Sequence, residues 1–182
     1  MFDVVETSIP GCLKLAPIVR EDSRGRFVKV FHDESFAEHR MTAKFAEQYY
    51  SRSHKGVLRG LHFQEPPFDH SKLVYCVEGV VIDAVVDLRV GSPSYGEHVL
   101  IELSAERANQ VFVPAGLAHG IYVASETAMI VSNTSTVYAP DADKGIAWDS
   151  AGIDWPDVEP ILSQRDASLP TLSDYESPFR YA

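Results

Sequence analysis

Cysteine is scarce in this chain, with two residues, Cys12 and Cys76, among 182. They stand in no metal-binding or redox spacing, which excludes a disulfide framework and fits a reducing compartment. Both read as small buried apolar residues. Basic residues are also short, 16 against 26 acidic ones, for a net charge of −10. That deficit argues against nucleic acid or an anionic membrane surface as the main partner. An anionic small molecule would need a local cationic pocket. No apolar run reaches membrane-spanning length, so no membrane partner is expected. The opening Met1-Phe2-Asp3-Val4-Val5-Glu6 lacks the basic and apolar regions of a signal peptide. The expected location is cytoplasmic. Internal repeats, low-complexity tracts and long helical periodicities are missing as well.

The sequence does contain many short strand patterns. Its length suits one domain, spanning 1–182. Prolines and glycines, 11 of each, are scattered as expected for strands joined by turns. Val80 to Leu88 is the cleanest element: Val80, Ile82, Ala84, Val86 and Leu88 share one parity, and Val81, Asp83, Val85 and Asp87 the other. A strand with one dry face and one mixed face follows. Lys72 to Val77 precedes it, and Glu78-Gly79 predicts a hairpin between the two. Further strands are expected at 99–103, 110–113, 120–124 and 129–137. Helix is expected only in short pieces, at 34–40 with Asp33 as N-cap, and from Ser163, where Ser163-Gln164-Arg165-Asp166 resembles a capping box. The fold class is all-β, a sandwich or barrel.

The most informative stretch is Gly56-Val57-Leu58-Arg59-Gly60-Leu61-His62-Phe63-Gln64. His62 can take and return a proton near neutral pH. Arg59 offers a permanent planar fork to an oxyanion or phosphate. Strict alternation would put the two on opposite faces, so a shared site requires a kink, most easily at Gly60. A surface arginine beside a core histidine is the competing account. Lys72, after the loop 65–71, is either an oxyanion partner in a barrel mouth or a solvated edge charge. Asp166 is either the orienting carboxylate of His62 or a helix-terminus carboxylate.

Pro114-Ala115-Gly116-Leu117-Ala118-His119 has the P-x-G-x-x-H form of the second cupin motif. A metal cupin pairs it with an H-x-H segment, but here that segment reads His62-Phe63-Gln64. With the second histidine absent, no metal and no cofactor is expected.

Taken together, several segments resemble the dTDP-4-dehydrorhamnose 3,5-epimerases, the RmlC-like cupins. They are Asp22-Ser23-Arg24-Gly25, Ser51-Arg52-Ser53, Lys55 to Gln64, Lys72-Leu73-Val74, Val86-Asp87-Leu88-Arg89, Pro114 to Gly120, Tyr138-Ala139-Pro140, Ile153-Asp154-Trp155-Pro156 and Leu162-Ser163. The resemblance runs from about Ile9 to Leu172. It implies a cupin jelly roll, a homodimer and a nucleotide-linked 4-keto-6-deoxyhexose substrate, dTDP-linked in the family. It implies His62 as base, Asp166 as its orienter, and Lys72 with Arg59 as partners of the enolate oxygen. Substrate contacts are implied for Arg24, Lys29, Gln48, His119, Tyr138, Asp143 and Arg165. The family's acid tyrosine falls on Ser132, whose parity with Ile130 and Thr134 points it inward. Glu47-Gln48-Tyr49-Tyr50 replaces the family's Q-x-N, and Lys29 replaces a glutamate. These departures suggest altered scope, with inversion at C3 or C5 but not both efficiently. A sugar-nucleotide binder that has lost catalysis is the alternative. Tyr49 and Tyr122 stand as possible substitute donors.

Overall fold

The computed structural model describes residues 2–41 and 44–181. Thirteen strands follow one another: β1 (Phe2–Glu6), β2 (Leu13–Pro17), β3 (Val19–Asp22), β4 (Gly25–Val28), β5 (Glu47–His54), β6 (Leu58–Gln64) and β7 (Lys72–Glu78), then β8 (Val80–Asp87), β9 (His98–Ser104), β10 (Gln110–Val113), β11 (Leu117–Val123), β12 (Thr127–Thr134) and β13 (Asp143–Gly145). One short helix, α1 (Asp33–Glu38), lies between β4 and β5. Two sheets face each other, ordered β1-β2-β10-β7-β12-β5 and β13-β6-β11-β8-β9, and β3 and β4 form a separate ribbon. This is the all-β cupin jelly roll expected from the sequence.

The two sheets enclose the inner core. Val74, Cys76, Val111, Val113 and Ile130 from the first pack against Val81, Val85, Leu103, Ile121 and Val123 from the second. Each sheet is also covered outside. Phe36 and Met41, following β4, close over Leu15, Leu73, Tyr75 and Phe112. Ile146, Ile153, Trp155 and Phe179 from the C-terminal segment close over Leu58, Phe63, Val86, Leu88 and Tyr122. Burial of this much apolar side chain is the main source of stability.

That outer cover changes the reading of Val80–Leu88. Both faces of β8 are buried, and the mixed face points into the sandwich, carrying Asp83 and Asp87 at 0% exposure. Asp87 is held by Arg89, Ser92 and Ser94, as a buried carboxylate must be.

Three local expectations differ. The segments on either side of Glu78-Gly79 do not pair as a hairpin: β7 pairs with β10 and β12, and β8 with β11 and β9. Gly79, at φ +78°, carries the chain around a corner between sheets so tight that an added Cβ would lie 2.0 Å from the Thr127 carbonyl oxygen. A turn signal marks the reversal but not which strand offers the better partner. Helix α1 is capped by His32, whose Nδ1 accepts from Ser35 N at 3.4 Å, one residue before Asp33. The Ser163 hydroxyl does cap the next segment, accepting from Asp166 N at 3.0 Å. Only a single 3-10 turn, Asp166–Ser168, follows.

Candidate active site

Arg59 and His62 share one cavity because β6 is bulged between them. His119 of β11 faces His62, while Ile121 faces Arg59, so the shift falls at Gly60-Leu61. Gly60 sits at φ +136° and packs on the neighbouring strand, where an added Cβ would be 2.5 Å from Gly120 Cα. Only glycine satisfies both the dihedral and the approach. The cavity, about 350 Å³, opens between the two sheets, within the range of ligand pockets.

His62 Nε2 lies 2.6 Å from Asp166 Oδ1. Asp166 is 4% exposed, whereas the His62 side chain is 26% exposed toward the cavity. Burial alone would raise the Asp166 carboxyl. Hydrogen bonds from His62, Ser163 and the Gly60 backbone outweigh it and hold the group below its ordinary range. Such a carboxylate fixes the imidazole with Nε2–H donating, leaving Nδ1 with a free lone pair for proton abstraction.

Lys72 is almost fully buried, and its Nζ donates to the His62 carbonyl at 3.2 Å. Burial pushes its ammonium down from 10.5 to about 8, against the pull of Asp83 and Asp143. A cation here is therefore lost at mildly alkaline pH. Arg59, exposed in the cavity wall, is aimed by Ser53, whose hydroxyl accepts from Nε at 3.0 Å. His119 donates from Nε2 to Asp83 Oδ2 at 2.8 Å. Arg165 pairs with Asp143 at 2.9 Å, and both line the cavity with Tyr138.

The lysine gives a pH expectation. If its charge stabilises an oxyanion, kcat/KM falls about tenfold per pH unit above pH 8. Unfolding from this group does not mimic that loss. Between about 8 and 10.5 the unfolded chain holds the lysine proton and the folded chain does not, so this group's contribution to stability rises with pH there. A flat kcat/KM profile from pH 7 to 10 would remove Lys72 from the reaction.

Ser132 lines the cavity from β12, on the inward parity of Ile130 and Thr134. Three residues named from sequence are not in the cavity. Gln48 has the opposite parity on β5, and its amide donates to Asn133 Oδ1 at 2.6 Å on the outer face. Arg24 belongs to the β3–β4 turn, pairing with Asp22 at 2.6 Å in solvent. Lys29 follows β4 beside Ile18 and Phe27. Strand parity and the separate ribbon point these side chains elsewhere. Conversely, Glu47, Tyr49, Ser51 and His70 line the cavity, as does the Asp83–His119 pair's histidine. The alternation of Glu47, Tyr49 and Ser51 on β5, and that of Asp83 with Val81 and Val85, carries the signal, whereas His70 sits in the loop before β7. At the former metal-motif position, the Gln64 amide donates to the Phe68 and Val137 carbonyls and accepts from Ala139 N, tying down two loops. Among the described residues, no three His, Cys, Asp or Glu side chains converge as metal ligands, and no helix is long and apolar enough to cross a membrane.

Comparisons with known proteins converge. The family model described as dTDP-4-dehydrorhamnose 3,5-epimerase matches residues 6–174. A dTDP-4-dehydrorhamnose 3,5-epimerase from Escherichia coli K12 is 41% identical over 178 residues, covering 95% of this chain and 96% of its own. The crystal structure of a dTDP-6-deoxy-D-glucose-3,5-epimerase from Legionella pneumophila, in complex with dTDP-4-keto-L-rhamnose, superposes with a TM-score of 0.95. It is 34% identical, over the whole of both chains. A 3'-monoepimerase from Streptomyces bikiniensis in complex with dTDP-quinovose gives a TM-score of 0.87 at 36% identity, covering 92% of this chain and 86% of that one.

Proposed function

The chain belongs to the dTDP-4-dehydrorhamnose 3,5-epimerase family and is an epimerase of nucleotide-linked 4-keto-6-deoxysugars, and we propose that His62 is the base of this reaction. The C4 keto group acidifies the protons at C3 and C5. Nδ1 of His62, freed by the Nε2 contact with Asp166, removes one of them. The electron pair moves to the keto oxygen, and Lys72 and Arg59 offset the charge that develops there. The His62–Asp166 contact of 2.6 Å, opening on a cavity that holds both cations, carries this reading. His119, Tyr138, Asp143 and Arg165 supply contacts to the sugar nucleotide, for which dTDP is the proposed carrier on the strength of the relatives' ligands. Arg24, Lys29 and Gln48 take no part within this chain's own cavity.

With Ser132 at the tyrosine position, inversion is confined to one of the two carbons. Proton NMR in D2O with dTDP-4-keto-6-deoxyglucose tests the whole reading, because it separates exchange from inversion at each carbon. Exchange beside the keto group with inversion at one carbon is the expected result. Tight binding without exchange would instead establish the catalytically silent binder that Ser132 alone favours.

The working unit is proposed to be a homodimer, supported by the family resemblance and by Phe27 of β4 and Ile18 just before β3, which stand 61% and 59% exposed. A monomeric mass at sedimentation equilibrium would overturn this. Free, buried Cys12 and Cys76 support a cytoplasmic location, and recovery in an oxidising compartment on cell fractionation would refute it.

A further inference from the structure

Across β12 from Ser132, in direct register, stands Tyr49 of β5. Both side chains line the cavity, and Ser132 lies beside the Tyr49 phenol, whose ionised form it favours. The two positions are complementary: the inward site on β12 holds a small hydroxyl, and its neighbour on β5 holds a large phenol that reaches the space the small one leaves. Sheet membership then sets the geometry. His62 comes from the β13-β6-β11-β8-β9 sheet, whereas Tyr49 and Ser132 come from the sheet facing it. Facing sheets stand roughly 10 Å apart, so a sugar ring held between them has the imidazole on one side and the phenol on the other. Inversion needs that arrangement. A proton returned by His62 restores the original centre, and one delivered from the opposite sheet inverts it.

We propose that Tyr49 is the acid of this enzyme, donating its phenolic proton to the enolate carbon from the face opposite His62, with Ser132 as its positioning partner. The inference rests on the epimerase mechanism proposed above. In the first step the C–H bond breaks, the proton goes to His62 Nδ1, and the electron pair forms the enolate. In the second the enolate carbon takes the proton of the Tyr49 O–H bond, and the C4 carbonyl re-forms. Imidazolium and phenolate remain, and both return to their starting states by proton exchange with water in the open cavity. No oxidant, reductant or metal enters the balance.

The environment of the phenol suits the task. Tyr49 is 46% exposed toward the open cavity, and partial desolvation there pushes the phenol up from its ordinary value, with Glu47 and Asp143 adding to the shift and Ser132 opposing it. Tyr49 thus stays protonated across the physiological range and has a partner for the charge left after donation. Among the other residues packed around it, Glu47 engages the Tyr138 backbone N–H at 2.7 Å and Asp143 is paired with Arg165. Displacement by one strand, about 4.8 Å, moves the donor from where a residue-132 side chain would deliver. A phenol fixed at one such point reaches one of the two acidic carbons well, which accounts for inversion at a single centre. Tyr122, the other candidate donor, is excluded by placement: it is buried on the outer side of β11 among Leu58, Val86 and Trp155.

The test is Tyr49→Phe, which keeps the ring and removes only the proton. Exchange and inversion are followed at C3 and C5 by proton NMR in D2O with dTDP-4-keto-6-deoxyglucose. Inversion is expected to fall by about 10²-fold or more, while deuterium exchange with retention continues within a few-fold of wild type. Adding Ser132→Tyr to Tyr49→Phe is expected to restore inversion, since a phenol returns to the same side of the ring. Inversion by Tyr49→Phe at the wild-type rate would overturn the assignment of Tyr49 and leave the His62 reading standing. Equal loss of exchange and inversion in a folded Tyr49→Phe would also overturn it, because the phenol would then serve binding or the base. Absence of exchange in the wild-type protein would overturn the underlying mechanism.

Discussion

Replacing His62 by Asn is expected to lower both deuterium exchange and inversion by about 10²–10⁴-fold, the usual cost of losing a general base. The shorter amide ends near the Nδ1 position and does not reach Asp166 Oδ1, now 2.6 Å from Nε2, so the carboxylate loses this donor and keeps those of Ser163 and the Gly60 backbone. A water can fill the space left beside the carboxylate, and folding is checked by circular dichroism and binding by titration with dTDP before exchange is measured. What the amide lacks is a basic lone pair at the Nδ1 position. The pattern separates the two hydrogen-transfer groups. With the roles proposed above, His62→Asn is expected to stop the first step and every later one, whereas Tyr49→Phe is expected to stop only the second. Exchange at the wild-type rate in folded His62→Asn would show that another group removes the proton, with His70 and His119 the nearest candidates in the same cavity.

The sequence carries the sandwich and most of the site, but not the neighbours across strands. Period-two patterns reveal β8, β9 and β10 nearly to the residue, because each alternation reflects burial on defined faces. They say nothing about partners, which is why a turn at Glu78-Gly79 reads as a hairpin when the chain is changing sheets. The strands β1 to β5 and β13 are not among those expected: β1 to β4 and β13 are short, β3 and β4 are exposed along most of their length, as in Val19-Arg20-Glu21-Asp22, and the longer β5 is largely exposed. At the site, motif resemblance singles out His62, Asp166 and Lys72, and the structure brings Asp166 and Lys72 against His62. Their contacts span more than a hundred residues for His62 and Asp166, which no local pattern encodes. Gln48 illustrates the reverse. Its segment departs from the family's Q-x-N, and parity turns Gln48 outward and puts Tyr49 in the cavity. That Tyr49 stands opposite Ser132 is a fact of register, and register is fixed by the packing of whole sheets.

Gly60→Ala should damage both the fold and the site although it adds only one methyl group. At φ +136° an L-residue is strained by about 1–2 kcal/mol or more. The new Cβ would also meet Gly120 Cα at 2.5 Å and the His119 carbonyl oxygen at 3.0 Å. Those are backbone atoms of a central strand paired on both sides, so no flexible side chain can move away. Overpacking of this kind costs about 1–3 kcal/mol. The two costs together come to roughly 3 kcal/mol, a fall in melting temperature of about 6–12 °C for a chain of this size. Relief of the clash requires β6 to move away from β11 at the bulge. That movement separates Arg59 from His62, and His62 from Asp166, whose carboxylate is also anchored to the Gly60 backbone. Activity is therefore expected to fall by more than the stability change explains, with turnover at 20 °C lost while most of the protein remains folded by circular dichroism. A Gly60→Ala protein that melts at the wild-type temperature and turns over normally would show that β6 tolerates a side chain there, and that the bulge is not what unites the arginine and the histidine.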